Sequence, residues 1–211
     1  MFEHAHLPNV GLTSGKIPPN IYQALNQEIV DIHTDDSNTM KMNRTLAGQI
    51  TKEYQITKSL PLLNPFLEEM GRAYQKEWNY SPDKNSNNFD GNKDLKVESV
   101  WVNMQKKLEV NPLHNHDGTL SFVAWLHVPF KLEDERNMEN CKNSRTVELS
   151  STFQFVYTTA LGTIVNYPLF VEEGWEGRII MFPAKLYHTV YPFQTSDGYR
   201  ISISGNLIRV N

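Results

Sequence analysis

Residues 111–130 read NPLHNHDGTLSFVAWLHVPF. His114 and His116 stand two apart, followed by a turn-like Asp117-Gly118 and a long apolar run. In an extended segment, side chains i and i+2 point to one face, so both imidazoles can reach one point. A metal ion is one occupant of that point, and a pair of hydrogen-bonded surface histidines is the plainer alternative. The run LSFVAWLHV is rich in β-branched and aromatic residues, which predicts a strand leaving the turn.

The same texture continues in both directions. VESVWVNMQ, STFQFVYTT, TIVNYPLFV, GRIIMFP, YHTVYPF and YRISISGNLIRV are short runs of this type, spaced as in an antiparallel sandwich or barrel. They occupy the chain from Val97 onward. The first third reads differently. Pro18-Pro19 precedes a helical pattern carried by Ile21, Leu25, Ile29 and Val30. Asn64-Pro65 predicts a second helix start. Phe66, Leu67, Met70, Tyr74 and Trp78 then form one apolar face, best read as core. The division expected is a helical support over 1–96 packed on a β core over 97–211, one compact unit overall. SPDKNSNNFDGNKD (81–94) is a polar loop between them, and LEDERNMENCKNSR (132–145) reads as a solvated loop.

Composition bounds the function. Hydrophobic residues at 39% allow a real core, and a net charge of −4 leaves no basic stripe for nucleic acid. The single cysteine, Cys141, rules out an internal disulfide framework and fits a reducing cytoplasm. MFEHAHLPNVGL lacks the pattern of a secretory signal, and no apolar run is long enough to span a bilayer. Nucleic acid and membrane are therefore not expected partners. The oligomeric state is not legible.

The chain has seven histidines. His4 and His6 repeat the His-x-His spacing, but at a terminus ahead of any core pattern. His33-Thr34-Asp35 is a literal His-x-Asp, but it follows a helical pattern and reads as a surface helix end. His188 sits differently. It follows Gly177-Arg-Ile-Ile-Met-Phe-Pro183 in the next extended stretch, with Arg200 about a dozen residues further on. Arg200 and Ser202 share a strand face. Together they offer a guanidinium fork and a hydroxyl, a receptor for a carboxylate. A strand-surface ion pair is the bland reading of Arg200. Asn103, in the alternating WVNMQ, either touches a ligand or makes a structural hydrogen bond. Trp125 and His127 read as packing residues, Asn206 as a turn or lip residue, and Thr189 as ordinary strand composition.

In this order, the His-x-His, the Gly-led strand ending in Phe-Pro with a later His, and Arg-Ile-Ser-Ile-Ser resemble the iron(II)/2-oxoglutarate-dependent oxygenases. The nearest likeness is to the 2-oxoglutarate oxygenases of marine cyanobacterial T4-like phages, over roughly residues 97–209. The resemblance implies a mainly β double-stranded β-helix, or jelly roll, with N-terminal supporting helices. It implies Fe(II) held by His114, His116 and His188, and 2-oxoglutarate held by Arg200 with Ser202 and Asn103. It also implies hydroxylation of an unidentified second substrate, a peptidyl proline being one option, in a host cytoplasm if the chain is of phage origin. The wider superfamily has a carboxylate where this chain has His116. Either the triad is all-histidine, which the strand phase favours, or Asp117 curls in and displaces one histidine. Three histidines also suit zinc. A metal-binding jelly-roll module without oxygenase activity, or a zinc hydrolase, is the competing function.

Overall fold

A computed structural model describes residues 11–78 and 94–210. His4, His6 and most of the polar loop 81–94 lie outside the described residues. In chain order the elements are β1 (Thr13–Lys16), α1 (Pro19–Thr34), β2 (Lys52–Gln55), α2 (Leu60–Trp78), β3 (Leu95–Gln105), β4 (Asn111–His114), β5 (Leu120–His127), α3 (Leu132–Arg136), β6 (Phe153–Thr158), β7 (Ile164–Leu169), β8 (Arg178–Pro183), β9 (Tyr187–Val190) and β10 (Arg200–Arg209).

The strands form two antiparallel sheets, one ordered β1-β8-β5-β10-β3-β2 and the other β4-β9-β6-β7. From β3 onward the chain passes back and forth between the sheets, as a double-stranded β-helix requires. Every predicted strand from Val97 onward is present. The N-terminal third supplies more than helices: β1 and β2 extend the larger sheet at its two edges. Four residues of TSGK or KEYQ carry too little apolar pattern to announce a strand.

The helices cover one face of the larger sheet. Ile21, Leu25, Ile29 and Ile32 of α1 join Leu63, Leu67, Met70 and Tyr74 of α2 over Val102, Ile203, Phe122 and Met181. Val30, expected on that face, is exposed, and Ile32 takes its place. The other face of the sheet meets the smaller one. Val123, Trp125, Ile180 and Phe182 interdigitate with Phe153, Phe155 and Leu169. β5 is therefore covered on both faces, which explains its unbroken apolar run. Gly205 of β10 marks a close approach of backbone within the sheet, since a Cβ there would lie 2.3 Å from the Ser99 carbonyl oxygen and 2.7 Å from the Phe122 ring.

Two expectations need correction. Helix α2 begins at Leu60 and carries Pro65 inside it. The start is set from outside the segment: the buried Glu28 carboxylate of α1 accepts the backbone N–H groups of Thr57, Lys58 and Ser59 at 2.7–2.8 Å. A carboxylate there satisfies orphan donors and favours the positive end of the helix dipole. The charged stretch 132–145 is not wholly solvated, because α3 buries Leu132 and Glu135. His33 does sit in the last turn of α1, with Asp35 as its C-cap. No helix among the described residues is long and apolar enough to cross a membrane.

Candidate metal centre and anion pocket

β4 and β9 pair antiparallel with His114 opposite His188, and β6 places Phe155 on the other side of His188. His116 lies two residues beyond the end of β4, fixed by its backbone N–H donating to the Ala184 carbonyl at 2.8 Å. The three rings converge, with one ring nitrogen of each within 4.8 Å of the others. His116 Nε2 and His188 Nε2 are 3.3 Å apart. Two nitrogens each about 2.1 Å from one ion, at roughly 90–110° to each other, lie about 3.0–3.4 Å apart. The spacing therefore fits two ligands of a shared metal.

The tautomers fit as well. His114 Nδ1 lies 2.6 Å from the Pro112 carbonyl oxygen, and His188 Nδ1 lies 3.0 Å from that of Leu186. A carbonyl only accepts, so each Nδ1 carries the proton and each Nε2 keeps its lone pair for the centre. Burial pushes all three imidazoles below their ordinary value, His116 to about 4 and His188 to about 3, and His114 adds a like-charge penalty to both. All three are neutral at pH 7, the form that binds a metal.

Asp117 does not join them. Its side chain is fully exposed and pairs with Lys185 at 2.8 Å. Gly118, at φ +101°, continues the turn, and the structure leaves the Asp117 alternative outside the cluster.

A narrow cavity runs between the sheets from the histidines to Arg200, past Asn111, Asn103 and Ser202. Arg200 is 3% exposed. Its Nε and Nη2 donate to Gln105 Oε1 at 3.0 and 2.6 Å, Nη1 to the Ser151 carbonyl at 3.0 Å, and Nη2 to that of Tyr191 at 2.9 Å. The Phe130 and Phe193 rings stack together, and each ring centre lies 5.5–5.6 Å from the guanidinium carbon. Among the described residues no carboxylate lies within ion-pair distance, so Arg200 is not the surface ion pair of the bland reading. Burial brings it down to about 9, with the charge of Glu135 acting against that shift, and it stays cationic at pH 7. A buried cation held only by neutral acceptors is a receptor for an anion.

Ser202 and Asn103 face each other across β10 and β3. Asn103 Nδ2 donates to Ser204 Oγ at 3.2 Å and more weakly to Ser202 Oγ at 3.4 Å. Its Oδ1 and that of Asn111 are buried without a partner. Orphaned amide oxygens in a cavity wall call for a polar occupant, and an amide that turns over offers N–H donors instead. Trp125 also lines the cavity. His127 is exposed and pairs with Glu176 at 2.9 Å. Asn206 accepts from Ser121 at 2.7 Å, and Thr189 donates to the Asn111 carbonyl at 2.9 Å, both structural bonds.

Sequence reasoning missed Gln105, Ser151, Ser204 and Glu53. The strand phase of WVNMQ, which found Asn103, also points to Gln105. Nothing local marks Ser151 or Glu53. Glu53 stands beside Asn103 across β2 and β3, and is fully buried with Oε1 unpartnered. Burial, and then the charge of Glu109, push its carboxyl up to about 7 from 4.5. A folded value above the unfolded one means the native state holds more protons between the two. Stability therefore falls as pH rises through that window and is lowest above it. Glu53→Gln should leave stability unchanged near pH 4 and raise it by on the order of 3 kcal/mol at pH 8. Urea unfolding at both pH values measures this, and an equal effect at both would refute it.

The model of the family described as "Putative 2OG-Fe(II) oxygenase" matches residues 99–206, just over half of the chain. The chain is similar in structure to a Pseudomonas putida prolyl-4-hydroxylase, at 13% identity and a TM-score of 0.57, over 96% of this chain and 94% of that one. It is also similar to an oxidoreductase of the 2OG-Fe(II) oxygenase family from Burkholderia pseudomallei, at 13% identity and a TM-score of 0.50, over 94% and 85% of the two chains. At such identity the likeness establishes the jelly-roll fold. No curated protein matches the chain.

Proposed function

The chain belongs to the 2OG-Fe(II) oxygenase family, and from that premise we propose that it is a dioxygenase that hydroxylates a C–H bond of a second substrate at the expense of 2-oxoglutarate and oxygen. The family implies Fe(II) and 2-oxoglutarate, and the site suits both. In this reading His114, His116 and His188 would hold the metal, and three protein ligands would leave it able to take up a 2-oxo acid and oxygen. Arg200 takes the distal carboxylate, with Ser202 and Asn103 completing the pocket. The bound iron and cosubstrate supply the oxidising chemistry, converting 2-oxoglutarate to succinate and carbon dioxide as the substrate gains a hydroxyl. The chain supplies a neutral ligand set, a fixed cation and a narrow cavity that joins them. Three neutral ligands leave the charge of the ion to be balanced by the dianionic cosubstrate.

One observation carries this reading. A single cavity joins three neutral, convergent imidazoles to a buried guanidinium that has no carboxylate partner among the described residues. The cavity measures about 40 Å³, room for roughly three waters, so a five-carbon diacid enters only as the wall gives way. Ile50 and the candidate ligand His116 are the wall residues that lie outside the paired strands. A peptidyl proline is one substrate class the reading admits, and a cytoplasmic enzyme of phage type is the setting it suits.

Thermal unfolding with Mn(II), with and without 2-oxoglutarate, tests the proposal. At a hundred times its dissociation constant, a ligand stabilises by about 2.7 kcal/mol. For a chain of this size that is a rise of about 5–10 °C. The rise from 2-oxoglutarate should require the metal. A shift with metal alone favours a binding module or a zinc hydrolase.

A further inference from the structure

We infer that Glu135 is a positioning residue for 2-oxoglutarate: it fixes the two backbone carbonyls that aim Arg200 into the cavity, while leaving the guanidinium free of a carboxylate partner. The inference rests on the role proposed above for Arg200.

Glu135 is fully buried in α3. One carboxylate oxygen accepts the Thr195 backbone N–H at 2.8 Å and the Thr195 hydroxyl at 2.5 Å. The other accepts the Gln194 N–H at 2.8 Å and the Ser151 hydroxyl at 2.7 Å. A carboxylate has about four acceptor positions, and here neutral donors fill them. Glu135 therefore has no position left for Arg200. Its charge offsets the burial of the guanidinium from a distance, and the neutral acceptors around Arg200 leave its charge without a carboxylate partner and one Nη1 N–H unengaged.

The four bonds go to the two segments that orient Arg200. Ser151 has φ +61° and is fully buried. A left-handed conformation in a residue with a side chain is strained and persists only where its surroundings hold it. Its hydroxyl is tied to Glu135, and its carbonyl receives Arg200 Nη1. The segment after β9 supplies the Tyr191 carbonyl to Nη2 and the Phe193 ring beside the guanidinium. Gln194 and Thr195 then anchor that segment to Glu135.

The test is a double-mutant cycle, read as 2-oxoglutarate affinity by calorimetric titration of Mn(II)-loaded protein. Glu135→Gln keeps the shape and removes the charge and part of the acceptor set. It should weaken 2-oxoglutarate by about tenfold and leave Mn(II) affinity within about twofold. In an Arg200→Lys background the same change should cost less than about twofold, because a lysine has no fork for the two carbonyls to aim. Ser151→Ala removes the bond to Glu135 together with a longer one, at 3.3 Å, to the Pro192 carbonyl, and should reproduce a smaller loss with the same dependence on Arg200 should Glu135→Gln not fold. The inference is overturned if both variants bind like the parent, or if the loss is as large in the Arg200→Lys background. If Arg200→Ala itself binds like the parent, the role of Arg200 falls and this inference with it. If Arg200→Ala weakens binding and Glu135→Gln does not, only the inference about Glu135 falls.

Discussion

Replacing Arg200 with alanine is expected to weaken 2-oxoglutarate by ten- to a hundredfold while metal affinity changes little. A charge-assisted hydrogen bond contributes roughly 1.5–3 kcal/mol, and each 1.4 kcal/mol is about tenfold in affinity. The loss is at the upper end here, because Arg200 is buried against the stacked pair of Phe130 and Phe193, where an unpaired carboxylate regains little water. Arg200→Lys should recover part of it, since a lysine keeps the charge without the planar fork held by Gln105, Ser151 and Tyr191. Ser202→Ala should cost about 0.5–1.5 kcal/mol, the range of a neutral hydrogen bond. Calorimetric titration of the Mn(II)-loaded variants measures all three. Parent-like affinity in Arg200→Ala would reduce this arginine to an anchor for two backbone carbonyls.

The second large effect concerns the metal. His188→Ala should lower Mn(II) affinity by more than the roughly 10–100-fold that follows loss of an outer partner. It removes an imidazole that the Leu186 carbonyl, by holding Nδ1, turns with Nε2 toward His114 and His116. His114→Ala and His116→Ala should behave alike. Asp117→Ala should change the affinity by less than about twofold, because its carboxylate stands in solvent beside Lys185. Electron paramagnetic resonance of free Mn(II) gives the four affinities directly. Retained binding in His116→Ala together with loss in Asp117→Ala would mean that the turn rearranges around the ion.

Much of this site could be read from the chain because its signals are local. The i, i+2 spacing places His114 and His116 together, and strand alternation places Ser202 and Asn103 on the face of Arg200. The order of the motifs brings His188 to the same end of the barrel. The parts that could not be read depend on contacts far along the chain. LEDER looks solvated because its charges are dense, yet Glu135 is buried by donors from residues 151 and 194–195. The start of α2 is moved from Asn64 to Leu60 by a carboxylate on α1. β1 and β2 are edge strands whose register comes from the sheet they join and not from their own four residues. Asp117 and His116 are adjacent, and only the path of the turn through Gly118 decides which of them faces the centre.

A crystal structure of the protein with Mn(II) and 2-oxoglutarate, grown without oxygen, tests the central claim most directly. The account predicts one ion with Nε2 of His114, His116 and His188 at about 2.0–2.2 Å, and the diacid bridging from that ion to the Arg200 guanidinium. An ion bound without His116, or a diacid whose distal carboxylate lies away from Arg200, would contradict it.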